Sequence, residues 1–300
     1  MTTQSLPAKR QTLAGLLADY VRLTKPRVIS LLLVTTLLAM IMAQHGWPSG
    51  QKVLWTMIGG YLSAGGANAI NQWFDRDIDA TMRRTSNRPI PSGRIGATHA
   101  LIYGLVISVA SVLILGFGVN WPTSGFATLG LLLYVLLYTL WLKRTTTQNI
   151  VIGGAAGAVP PMVGWAAIDG SVGLGGLLLF AIVFYWTPPH FWALAVLLKA
   201  DYQEVGVPML PVVRGELETA RQVLWWTLVL VGVSLLPVAA GISGSVYFVS
   251  ALVLGVWFTA SAVQLLRRPT EKSAARKTFS YSMLYLALLF VALAVDAALA

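Results

Sequence analysis

The sequence predicts an all-α integral membrane protein: nine membrane-spanning helices packed as one bundle around a central cavity. Three observations carry that prediction. Apolar runs of spanning length recur along the 300 residues, and in a medium without water only helices or closed barrels satisfy the backbone. Hydrophobic residues make up 56% of the chain and charged residues only 11%, against about 25% in a soluble domain. The basic residues also sort cleanly onto alternate loops.

Taken in order, residues 1–26 form a cytoplasmic amino-terminal segment, and residues 27–300 form a single transmembrane domain with no polar connection of domain size. The first apolar run, 27–44, begins too late and is too long for a cleavable signal peptide. It ends at His45-Gly46-Trp47-Pro48, an interfacial sequence. The second run, 53–73, ends in an acidic array. Runs at 98–118 and 124–142 follow, separated from the next by Lys143 and Arg144. The fifth, 149–167, carries Gly153, Gly154 and Gly157 for close helix approach and Pro160-Pro161 for a kink. The sixth, 174–198, contains Pro188-Pro189 and a second acidic sequence follows it. Runs at 222–241, 245–265 and 279–299 complete the nine. Trp47, Trp55 and Trp121 suit an outer aromatic belt, and Trp73, Phe74, Trp186, Phe191 and Trp192 suit a tunnel lining.

The charge pattern supports that count. Of 21 Lys and Arg, all but Lys52 fall on one side: Lys9, Arg10, Arg22, Lys25 and Arg27 before the first span, then Arg76, Arg83, Arg84, Arg88 and Arg94, then Lys143 and Arg144, then Lys199, Arg214 and Arg221, then Arg267, Arg268, Lys272, Arg276 and Lys277. The positive-inside rule makes this side cytoplasmic and puts the carboxyl terminus outside. The net charge of +10 is therefore a topology signal with an attraction to anionic lipid. Bases scattered over five loops without a recognition motif exclude nucleic-acid binding. Absence of cysteine excludes disulfides, thiolate nucleophiles and thiolate-bound metals.

The chemistry concentrates in Asn71-x-x-x-Asp75-x-x-x-Asp79, with Asp77 inside the array. On a helix these positions advance by only about 40° per step and climb roughly 12 Å, so all three side chains share a face. Hard oxygen ligands suit magnesium, which takes one or two carboxylates plus substrate phosphates. The array predicts a divalent cation and, through it, a diphosphate. The plain alternative is a solvated helix end with Arg76, Arg83 and Arg84 as partners. A second acidic sequence, Lys199-Ala200-Asp201-Tyr202-Gln203-Glu204, follows the sixth span as the first follows the second. Six of the eleven acids, including Glu216, fall in or beside these two loops. A four-span offset hints at a duplicated unit.

These residues resemble the UbiA superfamily of intramembrane prenyltransferases. The array from Asn71 to Asp79 and the run Arg84-Thr85-Ser86-Asn87-Arg88-Pro89-Ile90-Pro91-Ser92-Gly93 carry the resemblance to the superfamily. Asn149 to Ala158, Trp186-Thr187-Pro188-Pro189-His190-Phe191-Trp192, and Asp201-Tyr202 through Gly206-Val207-Pro208-Met209-Leu210-Pro211 point to its haem-farnesylating branch. One departure is that Val205 stands where many members repeat an aspartate, with Glu204 beside it.

The resemblance implies transfer of a farnesyl group from farnesyl diphosphate to a vinyl group of haem B, with hydration. It implies Mg2+ held by Asn71, Asp75, Asp79 and Asp201, with Glu204 a weaker ligand. Arg88 and Arg94, then Lys143 and Arg144, would steady the diphosphate. It places the chain in a bacterial inner membrane, with farnesyl diphosphate, haem B and lipid as partners, and admits a haem A synthase beside it. His190, inside the sixth span, reads either as a haem contact or as a helix-packing histidine. A UbiA-type enzyme acting on a quinone precursor and a polytopic transporter remain as alternatives, although a transporter would hold its polar residues near mid-membrane.

Overall fold

The apolar runs fold as helices, as their length requires where no water can satisfy the backbone. The computed structural model describes residues 12–299, so Lys9 and Arg10 lie outside the described residues. The helices are α1 (Leu13–Thr24), α2 (Pro26–Gln44), α3 (Gly50–Phe74), α4 (Arg76–Thr81), α5 (Ala97–Gly118) and α6 (Trp121–Leu132). A π-helical segment, Leu133–Leu142, carries α6 without a break into α7 (Lys143–Thr145). Then come α8 (Asn149–Asp169), α9 (Gly173–Leu197), α10 (Lys199–Glu204), α11 (Leu210–Val213), α12 (Gly215–Ala239), α13 (Ser245–Arg267) and α14 (Lys272–Leu299). Among the described residues there is no strand.

Among the described residues, eight helices are long and apolar enough to cross a membrane. The predicted second span, α3, has the length, at 25 residues, but falls short in apolarity. Its sequence explains why. Ser63, Asn68, Asn71 and Gln72 are buried in it, and each needs a partner: Ser63 Oγ donates to Ala127 O at 3.1 Å and Asn68 Nδ2 to Thr24 O at 2.9 Å. A polar helix facing protein rather than lipid can afford such residues.

Helix ends extend beyond the apolar runs. α12 begins at Gly215, not near 222, and α14 at Lys272, not near 279. Apolarity marks the hydrocarbon crossing, whereas the charged first turns still make helical hydrogen bonds and reach the headgroup zone with long side chains.

Packing follows side-chain size. A Cβ on Gly66 would stand 2.8 Å from Gly104 O, so α3 and α5 approach at backbone distance. A Cβ on Gly164 would stand 2.2 Å from Thr36 O, which fixes α8 against α2. Gly153 and Gly154 press on Tyr138 and Thr187, but nothing lies within 4 Å of a Cβ on Gly157. Pro160-Pro161, Pro188-Pro189 and Pro237 sit inside continuous helices. Thr36 Oγ1 donates to Pro160 O at 3.2 Å. α8 and α9 are the most enclosed of the eight apolar helices, while the outer faces carry exposed Val106, Val109, Phe117, Val253, Val256 and Trp257. That distribution is the reverse of a soluble fold and is what a lipid-facing surface requires. The chain is a multi-pass membrane protein.

The described part of the amino-terminal segment, from residue 12, packs on the bundle. Leu23 of α1 packs in one cluster with Ala69, Ile90, Ile95 and Ala100. Thr24 Oγ1 and Tyr61 Oη are 2.7 Å apart.

Candidate active site

The acidic array begins where α3 ends. Asp75 caps α3, with φ −83° and ψ 7°, and α4 starts at the next residue. The ladder nevertheless runs through: Asp75 N donates to Asn71 O at 2.9 Å and Asp79 N to Asp75 O at 2.8 Å. Asn71, Asp75 and Asp79 therefore keep a common face and are all buried. Asp77 turns outward, 59% exposed.

Buried carboxylates need partners. Asn71 Nδ2 donates to Asp75 Oδ2 at 2.7 Å and to Thr139 Oγ1 at 3.2 Å. The Lys143 ammonium donates to Asp75 Oδ2 as well. Arg88 Nη1 lies 2.6 Å from Asp79 Oδ2. Lys25 Nζ donates to Asn71 Oδ1 at 2.8 Å. Arg144 grips Asp77 through both oxygens, each at 2.7 Å, and its guanidinium lies 4.9 Å from the Phe74 ring centre. That fork holds the Asp77 carboxyl down at about 2. Burial holds the Lys25 ammonium down to about 7; Arg88 and Lys143 add repulsion, and Asp79 and Asp75 partly oppose it.

Three features place these groups. Lys25 has a left-handed backbone, φ 57° and ψ 62°, before Pro26, which starts α2. The chain turns there, and the Lys25 side chain runs inward to Asn71. Such backbone strain often marks functional positions. The π-helical segment ends at Leu142, next to Lys143, and within it Thr139 Oγ1 donates to Tyr134 O at 2.8 Å. π geometry recurs at functional sites. Third, Thr85 Oγ1 donates to Asp79 O at 3.0 Å and ties the following loop to the array.

The second acidic sequence lies at the same end of the bundle. Arg84 Nε stands 3.8 Å from Asp201 Oδ2, and Arg84 Nη2 donates to Tyr202 Oη at 3.4 Å. Ile78, Tyr202 and Val205 pack against one cluster that includes Ile150, Trp192 and Met209. The two loops therefore meet. Val205 serves that apolar contact, which accounts for the missing aspartate. Glu204 is exposed on α10, and Glu216 pairs with Lys199 at 2.7 Å, outside the array.

Some predicted residues stand elsewhere. Arg94 Nε donates to Asp19 Oδ2 at 2.9 Å and Arg94 Nη2 to Asn87 O at 2.8 Å, so it faces α1 rather than the array. His190 lies within α9, its Nδ1 2.7 Å from Ser282 Oγ, its ring stacked between Trp186 at 4.2 Å and Phe279 at 4.7 Å. Those contacts join α9 to α14, as helix packing predicts. Trp73 and Phe74 lie under Arg76 and Arg144. Lys25, Arg84 and Thr139 were not among the predicted site residues. Of these, Arg84 carried a signal, as the first residue of the run Arg84 to Gly93.

The donor set fits a hard divalent cation. Asp75 Oδ1 is buried without a hydrogen-bond partner; Arg144 Nη2, at 3.5 Å, is an ion-pair neighbour but makes no bond to it. Such an acceptor is costly to leave empty. Among the described residues no three His, Asp or Glu side chains cluster closely enough to form a complete metal cage. A magnesium site completed by an amide, waters and substrate phosphates needs no such cage.

Comparison with known proteins follows this geometry. A model of the UbiA prenyltransferase family matches residues 32–293. A Protoheme IX farnesyltransferase of Chloroflexus aurantiacus is 54% identical over 293 residues, 98% of this chain and 49% of that protein. One of Gloeobacter violaceus is 49% identical over 284 residues, 95% of this chain and 93% of that protein. The chain thus spans about half the length of several curated relatives, and nearly all of others. Among solved structures, one of digeranylgeranylglyceryl phosphate synthase aligns over 95% of this chain and 99% of its own, with TM-score 0.78 and 19% identity. A UbiA homolog from Archaeoglobus fulgidus bound to GPP and Mg2+ aligns over 92% and 99%, with TM-score 0.63 and 15% identity. These structures establish the fold.

Proposed function

The chain belongs to the UbiA prenyltransferase family, and from that premise we propose that it transfers a farnesyl group from farnesyl diphosphate to a vinyl group of haem B, with hydration, giving haem O and diphosphate. The observation that carries the site reading is the buried Asp75 carboxylate, bonded on one oxygen by Asn71 and Lys143 and open on the other. The substrate reading rests on relatives about half identical over nearly the whole chain.

Asn71, Asp75 and Asp79, with Asp201 and Glu204 across the mouth, would hold Mg2+, which supplies Lewis-acid neutralisation and a template for a diphosphate. Lys143, Arg88 and Arg144 would donate to the phosphate oxygens as negative charge gathers there. Loss of diphosphate breaks the allylic carbon–oxygen bond, and its electron pair leaves with the phosphate. The vinyl π electrons form the new carbon–carbon bond. Water captures the resulting cation on the porphyrin side and releases a proton. No nucleophilic side chain is required. The apolar helices around the site keep bulk water from the allylic cation before coupling.

The bases of the α1–α2 junction and the loops after α3, α7, α9 and α13 support a cytoplasmic side for this mouth, and the membrane in this reading is a bacterial inner membrane. α3 then crosses as the ninth span, sheltered by its neighbours, and the carboxyl terminus lies outside. Residues 27–300 act as one catalytic unit, and a haem A synthase would receive the product where one is present.

Incubation of the purified chain with farnesyl diphosphate, haem B and magnesium, followed by mass spectrometry of extracted haem, tests the reading. A haem heavier by farnesyl and water is expected. Prenylation of a phenolic acid with haem B untouched would overturn the acceptor.

A further inference from the structure

We propose that a basic cleft beside the acidic face is a carboxylate subsite that receives the propionates of the porphyrin acceptor, apart from the groups that hold the diphosphate. The proposal rests on the haem B reading above. The cleft has a volume of about 400 Å³ and is lined by Arg22, Lys25, Gln72, Arg84, Arg88 and Arg94, among others. That size suits a ligand group rather than a packing void.

Arg84 turns to Asp201, and the other four bases divide into two sets. Lys25 and Arg88 look both ways, since they line the cleft and also bond Asn71 and Asp79. Arg22 and Arg94 do not touch the array. They share one carboxylate, Asp19, at 3.0 and 2.9 Å. Asp19 is 2% exposed, whereas the side chains of Arg22 and Arg94 are 66% and 34% exposed. One buried carboxylate thus orients two guanidinium groups that keep N–H donors open to solvent. A guanidinium fork matches a carboxylate in two parallel bonds.

The acceptor's shape fits this arrangement. A porphyrin with two propionates is an apolar disc with an anionic edge. The disc belongs among the helices, and the edge belongs at the loop end, where this cleft opens. Phosphate shares the same affinity for arginine. The farnesyl diphosphate has its own donors in Lys143, Arg144 and Arg88 around the array, whereas Arg22 and Arg94 are committed to the α1 side. Lys25 and Arg88 would form the wall between two anion sites, which lets donor and acceptor bind together.

The test compares haem B with its propionate dimethyl ester in the full chain, for wild type, Arg22→Gln and Arg94→Gln. Each substitution is expected to raise KM for haem B about tenfold, the loss of one charge-assisted hydrogen bond. KM for farnesyl diphosphate should stay unchanged, and wild type and variants should use the diester equally. A rise in KM for farnesyl diphosphate instead would assign the cleft to phosphate and overturn the proposal. So would an equal loss with diacid and diester, or unchanged kinetics in both variants. Should Arg94→Gln fail to fold, Arg22→Gln decides alone, because Arg94 still holds Asp19. Absence of any haem product from wild type would overturn the haem reading itself.

Discussion

Asp75→Asn, alone and with Lys143→Met, separates the structural from the chemical work of the array. Asp75 is fully buried, and the Lys143 side chain beside it is only 14% exposed. The single substitution leaves that ammonium facing an amide, without the carboxylate it was paired with. Removing one partner of a buried pair costs about 3–5 kcal/mol. Replacing both partners by neutral groups of similar size is close to neutral, so the double variant should recover most of the loss. Turnover should behave differently. Without the Asp75 carboxylate the cation loses its most enclosed ligand, and both variants should fall by at least about 10²–10³ in rate, the usual cost of losing one preorganised electrostatic group. Thermal unfolding in detergent reports the first quantity and mass spectrometry of extracted haem the second. Stability that returns in the double variant without activity is the expected result. Full turnover in Asp75→Asn, or turnover restored by Lys143→Met, would refute the metal role.

Arg88→Gln removes the Asp79 partner and a phosphate donor, so kcat should drop about 10²–10³, measured by steady-state kinetics. Asp77→Asn is the contrasting acid: it is 59% exposed, so its loss should cost no more than about 1 kcal/mol. Its folded value of about 2 lies below the ordinary 3.8, so the stabilisation is complete above pH 3.8 and fades as pH falls through 2. Acid unfolding followed by circular dichroism should show a wild-type advantage over Asp77→Asn at pH 5 that vanishes near pH 2. Gly164→Ala drives a methyl against Thr36 O and should destabilise by about 1–3 kcal/mol, whereas Gly157→Ala meets open space and should unfold like wild type.

The bundle was legible because lipid imposes a simple rule on sequence: a run of apolar residues must close its own backbone bonds. That rule found α3 as a helix but not that it faces protein, since its polar residues Asn68, Asn71 and Gln72 are satisfied by neighbouring segments. The acid array was legible because its period matches a helix. Its partners were not. Lys25 reaches Asn71 across 46 positions through a left-handed turn, and Lys143 follows a π segment that no periodicity announces. Charge sorting by loop put Arg88 and Arg94 on the correct end of the bundle but could not say which acid each would choose. The loop between α4 and α5 decides that, turning Arg88 to Asp79 and Arg94 to Asp19. Val205 departs from the second motif of many superfamily members, and its apolar side chain helps hold the two loops together.

The charge of the site explains why so many acids and bases are placed at one mouth. Lys25, Arg88, Lys143 and Arg144 face Asp75, Asp77 and Asp79, and Arg84 offsets Asp201. The balance is slightly positive. A metal ion alone would be repelled by those cations, and a diphosphate alone by the carboxylates. In the proposed function, Asp75 and Asp79 would hold the cation of a metal–diphosphate pair, and Lys143, Arg88 and Arg144 would turn from those carboxylates to its phosphate oxygens. Selectivity for the paired ligand over either component then follows from ion pairs already formed within the protein, because each component by itself would leave a buried charge without a partner.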